Sequence, residues 1–159
     1  MDKIDTIKTE AEGLLNKMIE KFELEVSEEE GIFHVVIKTE EEAPTVIGRH
    51  GETIRSLQKI LEVILYKKLG EPVDILINVN DYREKQKERL EEIAENIAQR
   101  VKTEQKEVPL RNFSSYERRV IHEYISHKHE DLTSYSVGEG RERQLIVNLK
   151  EKQEEAKEE

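Results

Sequence analysis

Two short stretches of this sequence combine residue types at spacings that could hold a phosphate. The first is Gly48-Arg49-His50-Gly51. Glycines at both ends let a backbone turn sharply and leave its N–H groups unshielded by side chains. A helical apolar pattern starts at Ile54, so these N–H groups fall at a helix N-terminus, where the dipole favours anions. Arg49 and His50 add side-chain donors. On spacing alone, the same tetrapeptide could be an ordinary glycine-bounded turn between two helices. The second is Arg118 and His122, four residues apart and therefore on one face of a helix. A guanidinium could grip one phosphate by its fork, and the imidazole could add one N–H. The plainer alternative is an exposed arginine beside a half-buried histidine.

A third group, His122-Glu123 with His127 and His129, raises metal binding. Its spacing does not match the zinc pattern H-E-x-x-H, which sets both histidines on one helical face. Five residues turn His122 and His127 about 140° apart on a helix. No metal site is expected. The sequence also lacks a phosphate-binding Gly-x-x-x-x-Gly-Lys-Ser/Thr loop, a dinucleotide Gly-x-Gly-x-x-Gly and a Gly-x-Ser-x-Gly nucleophile turn. No carboxylate pair stands in an apolar setting that would raise a pKa. The expectation is a protein without cofactor that is not an enzyme; a nuclease using His122 and Glu123 is the reading that cleavage assays would expose.

Composition bounds the rest. The chain has 159 residues with no Cys and no Trp, so disulfides, thiolate nucleophiles and zinc–thiolate sites are excluded. No apolar run approaches the ~18 residues of a membrane span, and the N-terminus lacks the pattern of a signal peptide. A cytoplasmic protein without membrane insertion is expected. The formal net charge of −10 argues against a nucleic-acid binder, since phosphates call for a basic surface. Its distribution reverses that argument. Residues 1–42 hold 5 basic and 13 acidic side chains, and residues 151–159 hold 2 and 5. The stretch between them, 43–150, holds 19 and 18, and both candidate phosphate sites lie there.

The elements that must position these sites follow from periodicity. Ile4, Ile7, Ala11, Leu14, Leu15, Met18 and Ile19 have helical spacing. Phe22 to Val26 and Ile32 to Ile37 read as a hairpin across the turn that ends in Gly31. A short segment, Pro44 to Ile47, leads into the glycine loop. The helix from Ile54 stops at Gly70, with Pro72 beyond it, and Val73 to Val79 alternate as a third strand. Asn80 or Asp81 is placed to cap a long polar helix reaching about Lys106. Val108 to Leu110 is short and extended. Ser114 and Glu117 have capping-box spacing before another helix. Leu132 to Val137 and Gln144 to Leu149 form strands joined through Gly138-Glu139-Gly140. The fold class is α+β, in two small domains with a boundary near Asn80, the long helix serving as spacer.

In the order α-β-β-α-α-β, residues 3–80 resemble a type II KH domain, with the signature Val46-Ile47-Gly48-Arg49-His50-Gly51-Glu52-Thr53-Ile54. The resemblance implies that the loop clamps about four nucleotides of single-stranded backbone. It also implies a base groove with Val46, Ile47, Ile54, Ile75 and Ile77 as candidates. Phe113 to His122, together with Thr133 to Gly140 and Arg141-x-Arg143, resembles the Arg-x-x-x-His (R-3-H) domain, a small fold that binds single-stranded nucleic acid. That implies a phosphate site of Arg118 and His122 helped by Arg119, Arg141 and Arg143.

A KH domain followed by an R-3-H domain is similar to the bacterial Jag family, also called KhpB or EloR. The domains expected are 1–80 (KH), 81–150 (R-3-H) and a disordered charged tail, 151–159. The family implies a cytoplasmic binder of single-stranded RNA, with single-stranded DNA as the other possible ligand. It implies a post-transcriptional role tied to cell elongation and division. Partners implied are a small KH-only protein, KhpA, or a second copy of the chain. The first helix begins almost at Met1, so the N-terminal Jag domain of many members is expected to be lacking, and with it the roles that rest on that domain. The competing class is a protein-interaction scaffold with no physiological nucleic-acid ligand.

Overall fold

A computed structural model describes residues 2–158 of the chain. Its elements divide between two units, one running to Arg83 and the other starting at Glu84. In the first unit the order is α1 (Lys3–Leu15), β1 (Glu23–Glu29), β2 (Ile32–Lys38), α2 (Ala43–Ile47), a 3-10 turn (Arg49–Gly51), α3 (Glu52–Leu69) and β3 (Ile75–Val79). This is the α-β-β-α-α-β order expected. The sheet runs β1-β2-β3, with β1 antiparallel and β3 parallel to the central β2.

Alternation along the strands decides which sheet face is covered. Phe33, Val35 and Ile37 of β2 and Ile75, Ile77 and Val79 of β3 are buried, while His34, Val36, Leu76 and Asn78 between them are half-exposed. The buried set packs with Ile7, Ala11 and Leu15 of α1 and Leu57, Leu61 and Leu65 of α3. Helix α1 ends at Leu15, earlier than the apolar spacing to Ile19 suggested. Ile19 is buried beyond the helix end, whereas Met18 is 37% exposed. Helix α3 stops where expected, at Gly70, whose φ of 75° is left-handed.

The second unit contains α4 (Tyr82–Glu104), whose first two residues belong to the first unit, β4 (Val108–Leu110), α5 (Ser115–Lys128), β5 (Leu132–Val137), β6 (Gln144–Leu149) and α6 (Lys150–Glu158). Its sheet is antiparallel, in the order β4-β6-β5. The apolar stripe of α4, Leu90, Ala94, Ala98 and Val101, is buried in one core with Ile121, Ile125, Leu132, Leu145 and Val147. Helix α4 is therefore a core element of this unit rather than the spacer its polar composition suggested. The units divide three residues after Asn80 because Tyr82 packs on the first core and Arg83 bonds Ile77.

Two further expectations change. Of the two cap candidates for α4, Asn80 is engaged elsewhere, its side chain bonding both backbone groups of Thr39, and Asn78 Oδ1 accepts from the amide of Arg83 at 3.2 Å. The charged tail expected to be disordered forms α6 over Lys150–Glu158. Its start is held by a bond from Lys150 N to Asp131 O and by the Lys152 ammonium on Gln105 O. Local polarity could not reveal these tertiary anchors. Glu159, the last residue of that tail, lies outside the described residues.

Candidate nucleic-acid interface

The chain makes a tight corner between α2 and α3. Pro44 sits in the first turn of α2, and the N–H of Gly48 closes the helix by donating to Pro44 O at 2.9 Å. Gly48 then adopts φ 70° and ψ 179°, a region open essentially to glycine alone. His50 and Gly51 follow in left-handed conformations, φ 54° and 73°. Four residues thus reverse the chain and deliver it to the N-terminus of α3, with its positive dipole end. A β-carbon at Gly51 would stand 3.3 Å from the Tyr82 ring, so this part of the loop lies against an aromatic support. Arg55 Nη1 donates to His50 O at 3.0 Å and braces the turn from the first helical residues.

Arg49 is exposed and its guanidinium makes no hydrogen bond or ion pair among the described residues. That differs from many surface cations of this chain. Lys3 pairs with Glu71, Lys38 with Glu25 and Lys68 with Glu10. A loop combining bare backbone, a helix N-terminus and an uncommitted guanidinium can receive a phosphodiester.

The expected base groove needs correction. Val46, Ile54, Ile75 and Ile77 are 0–4% exposed and belong to the core. Only Ile47 is half-exposed. The buried face of β3 had to be chosen by the sheet's packing, and it takes the very residues that alternation marked as apolar. The outer edge of β3 is also occupied. Gln58 Oε1 accepts from Ile77 N at 3.2 Å, and Arg83 Nε donates to Ile77 O at 2.6 Å. Gln58 and Arg83 were missed by sequence reading, because nothing in their spacing points to the strand edge they cover.

In the second unit, the capping box at α5 is formed as its spacing predicts. Ser114 Oγ accepts from Glu117 N at 3.2 Å, and Glu117 Oε2 accepts from Ser114 N at 2.7 Å. Arg118 folds back to this cap, donating through Nη1 to Phe113 O at 2.7 Å and through Nη2 to Ser115 Oγ at 3.3 Å. Those two bonds leave three of its five donors without a partner among the described residues. One turn further, His122 Nδ1 lies 2.6 Å from Ser134 Oγ on β5. That contact fixes the ring and leaves Nε2 as the nitrogen available to a ligand.

The other three members of the expected site stand elsewhere. Arg119 is turned about 100° around the helix from Arg118. It pairs with Glu123 at 3.0 Å and lines a cleft with Tyr116, Tyr124 and Lys87. Arg141 and Arg143 line a different cavity with Arg111. Of the histidines at the end of α5, His129 is engaged within the protein. His129 is buried, with Nε2 2.8 Å from Glu95 Oε2 and Nδ1 2.9 Å from Lys102 Nζ. An ammonium can only donate, so Nδ1 accepts and Nε2–H donates to Glu95. Gln99, then His129, then Tyr124 donate to Glu95 and hold its carboxyl down at about 2.

With this geometry in place, comparison with known proteins identifies relatives. A family model described as the R-3-H domain matches residues 88–149. The chain is 31% identical over 113 residues to the RNA-binding protein KhpB of Bacillus subtilis (strain 168), covering 70% of this chain and 54% of that protein. It is 35% identical over 105 residues to the RNA-binding protein KhpB of Clostridium symbiosum, covering 66% and 47%. It is 35% identical over 103 residues to the RNA-binding protein KhpB of Streptococcus pneumoniae serotype 2, covering 65% and 31%. The chain thus matches about half or less of the length of these curated relatives. No helix among the described residues is long and apolar enough to cross a membrane.

Proposed function

Since the chain belongs to the Jag/KhpB family, we propose that it binds single-stranded RNA at two places, the Gly48–Gly51 loop and the Arg118–His122 face of α5. The observation that carries this reading is the loop. Gly48 holds a backbone conformation that costs other residues energy, and it presents Arg49 unpaired at the start of an 18-residue helix. An ordinary turn has no need of that combination. The loop would take phosphodiesters by main-chain N–H groups and Arg49, in the manner of a KH domain. Arg118 and the Nε2 of His122 would take a second stretch of backbone. Two modest sites on one chain raise avidity through effective concentration.

The family reading extends this to a non-catalytic, cytoplasmic, post-transcriptional regulator tied to cell elongation and division, with a small KH-only protein as partner. A protein partner is favoured by one observation. Ile60, Val63 and Tyr66 on α3 are 50%, 59% and 58% exposed, an apolar surface that water solvates poorly.

The test is fluorescence anisotropy with a labelled random pool of single-stranded RNA. Replacing both Arg49 and His50 by Asp weakens binding by about tenfold or more, since two charge-assisted donors are exchanged for repulsion. In Arg49→Asp alone the thermal midpoint moves little, because Arg49 makes no side-chain bond among the described residues. Unchanged affinity in the double variant would refute the loop assignment. A wild-type protein that binds no RNA from the pool would leave the scaffold reading in its place.

A further inference from the structure

Strand β3 is an edge strand, paired with β2 alone, so alternate residues turn their main-chain N–H and C=O outward. Ile77 is one of these. Its N–H donates to Gln58 Oε1 at 3.2 Å, and its C=O accepts from Arg83 Nε at 2.6 Å. The two side chains are also bonded to each other, Arg83 Nη2 donating to Gln58 Oε1 at 3.2 Å. Each is anchored from behind. Gln58 Nε2 donates to Glu62 Oε1 at 3.3 Å, which turns the amide oxygen towards the strand. The Arg83 main-chain amide donates to Asn78 Oδ1 at 3.2 Å. A closed cover therefore sits over the outward main-chain pair of Ile77.

This cover lies beside the glycine loop. Glu52 opens α3, and Gln58 stands six positions on, about 9 Å along the helix. Arg83 follows Tyr82, whose ring lies against Gly51. A single strand whose backbone is held at the loop has its bases within reach of the β3 edge. A main-chain N–H beside a C=O is the complement of a nucleobase edge, which offers an acceptor next to a donor. Gln58 and Arg83 fill that complement with an acceptor and a donor of their own. Blunting an edge against another strand needs only a charge, a proline or a bulge. Here donor meets acceptor and acceptor meets donor at one residue, and the two side chains come from different helices, α3 and α4.

We infer that Gln58 and Arg83 make the loop site read backbone rather than sequence, by denying nucleobases the main-chain pair at Ile77. The inference rests on the RNA-binding reading above and deepens it by stating which part of the strand the first unit recognises. Phosphodiesters meet the bare loop and Arg49, while the bases meet a strand edge whose hydrogen bonds are already made.

The experiment measures, on the full chain, the ratio of affinity for a short single-stranded RNA to affinity for an abasic ribose-phosphate strand of the same length. Gln58→Ala removes the acceptor of Ile77 N–H without changing charge, and the ratio rises about three- to tenfold, the worth of one or two neutral hydrogen bonds. Arg83→Gln, which releases Ile77 O, raises it too, since the lost charge weakens both strands alike and cancels. Gln58→Glu keeps an acceptor at the strand edge and holds the ratio at the wild-type value. The rise in Gln58→Ala disappears when Arg49 and His50 are also replaced by Asp, which places it at the loop. A ratio unchanged or lowered in both Gln58→Ala and Arg83→Gln overturns the inference and leaves the RNA reading standing. Binding of neither strand by the wild-type protein overturns the RNA reading, and this inference with it.

Discussion

Gly48 and Thr53 approach so closely that no side chain fits between them. A β-carbon at Gly48 would overlap Thr53 Oγ1 and lie 2.8 Å from Thr53 Cβ and 2.9 Å from Thr53 N. The loop thus folds its entry onto the first turn of α3, and glycine is required twice over, by φ and by space. Gly48→Ala is expected to destabilise the protein by about 2–3 kcal/mol, from backbone strain of about 1–3 kcal/mol with the overlap added. Gly51→Ala, in the milder left-handed region and 3.3 Å from the Tyr82 ring, is expected to cost about 1–2 kcal/mol. Urea denaturation compares the two. Equal or negligible losses would show that the loop is not held in this form.

The position of Arg118 depends on the cap beneath it. Ser114→Ala removes the acceptor of Glu117 N and should lower stability by about 1 kcal/mol. Because Arg118 is anchored on Phe113 O at the same helix end, RNA affinity should fall as well. Denaturation and anisotropy on the same variant check both. A stability loss with unchanged affinity would place Arg118 outside the binding site.

Glu95 gives the second unit a defined acid response. Its carboxyl is held at about 2, below its ordinary 4.5, by bonds from Gln99, His129 and Tyr124. A depressed acid contributes stability that is complete above about 4.5. The contribution is lost as pH falls from there towards 2. Stability measured across that window should decline, and Glu95→Gln should flatten the decline while costing stability at neutral pH. A variant whose pH profile stays parallel to wild type would show that Glu95 does not carry the effect.

Salt separates shaped sites from diffuse attraction. With an acidic surface overall, few phosphates are neutralised, at about −0.7 in the log K against log salt slope for each. A slope between about −1 and −3 is expected for single-stranded RNA. The Arg49→Asp, His50→Asp double variant should make it shallower by about one contact. A slope near zero would exclude phosphate contacts as the source of affinity.

Much of this was legible locally. The helix ending at Gly70, the hairpin and the capping box at Ser114 each follow from neighbours a few residues apart. So do the left-handed turns of the 48–51 loop, since glycine spacing and helix periodicity are short-range properties. The groove was not legible. Ile75 and Ile77 read equally as core or contact until the sheet had a covered face. Arg119 was grouped with Arg118 because they adjoin in sequence, yet one helical step carries it into another cleft and an ion pair with Glu123.

What the amino-acid order determined by itself was the element succession as far as β6, the glycine-bounded loop at 48–51, and the concentration of acid at the chain ends. Tertiary structure decided the rest. It chose which strand face is buried, closed the β3 edge with Gln58 and Arg83, and drew α4 into the second core. It also gathered Arg141 and Arg143 around one cavity with Arg111. The physical reason is range. Dihedral preferences and helical periodicity act over a few residues, whereas burial and charge convergence depend on strand register between residues more than thirty positions apart, such as Leu110 and Leu145.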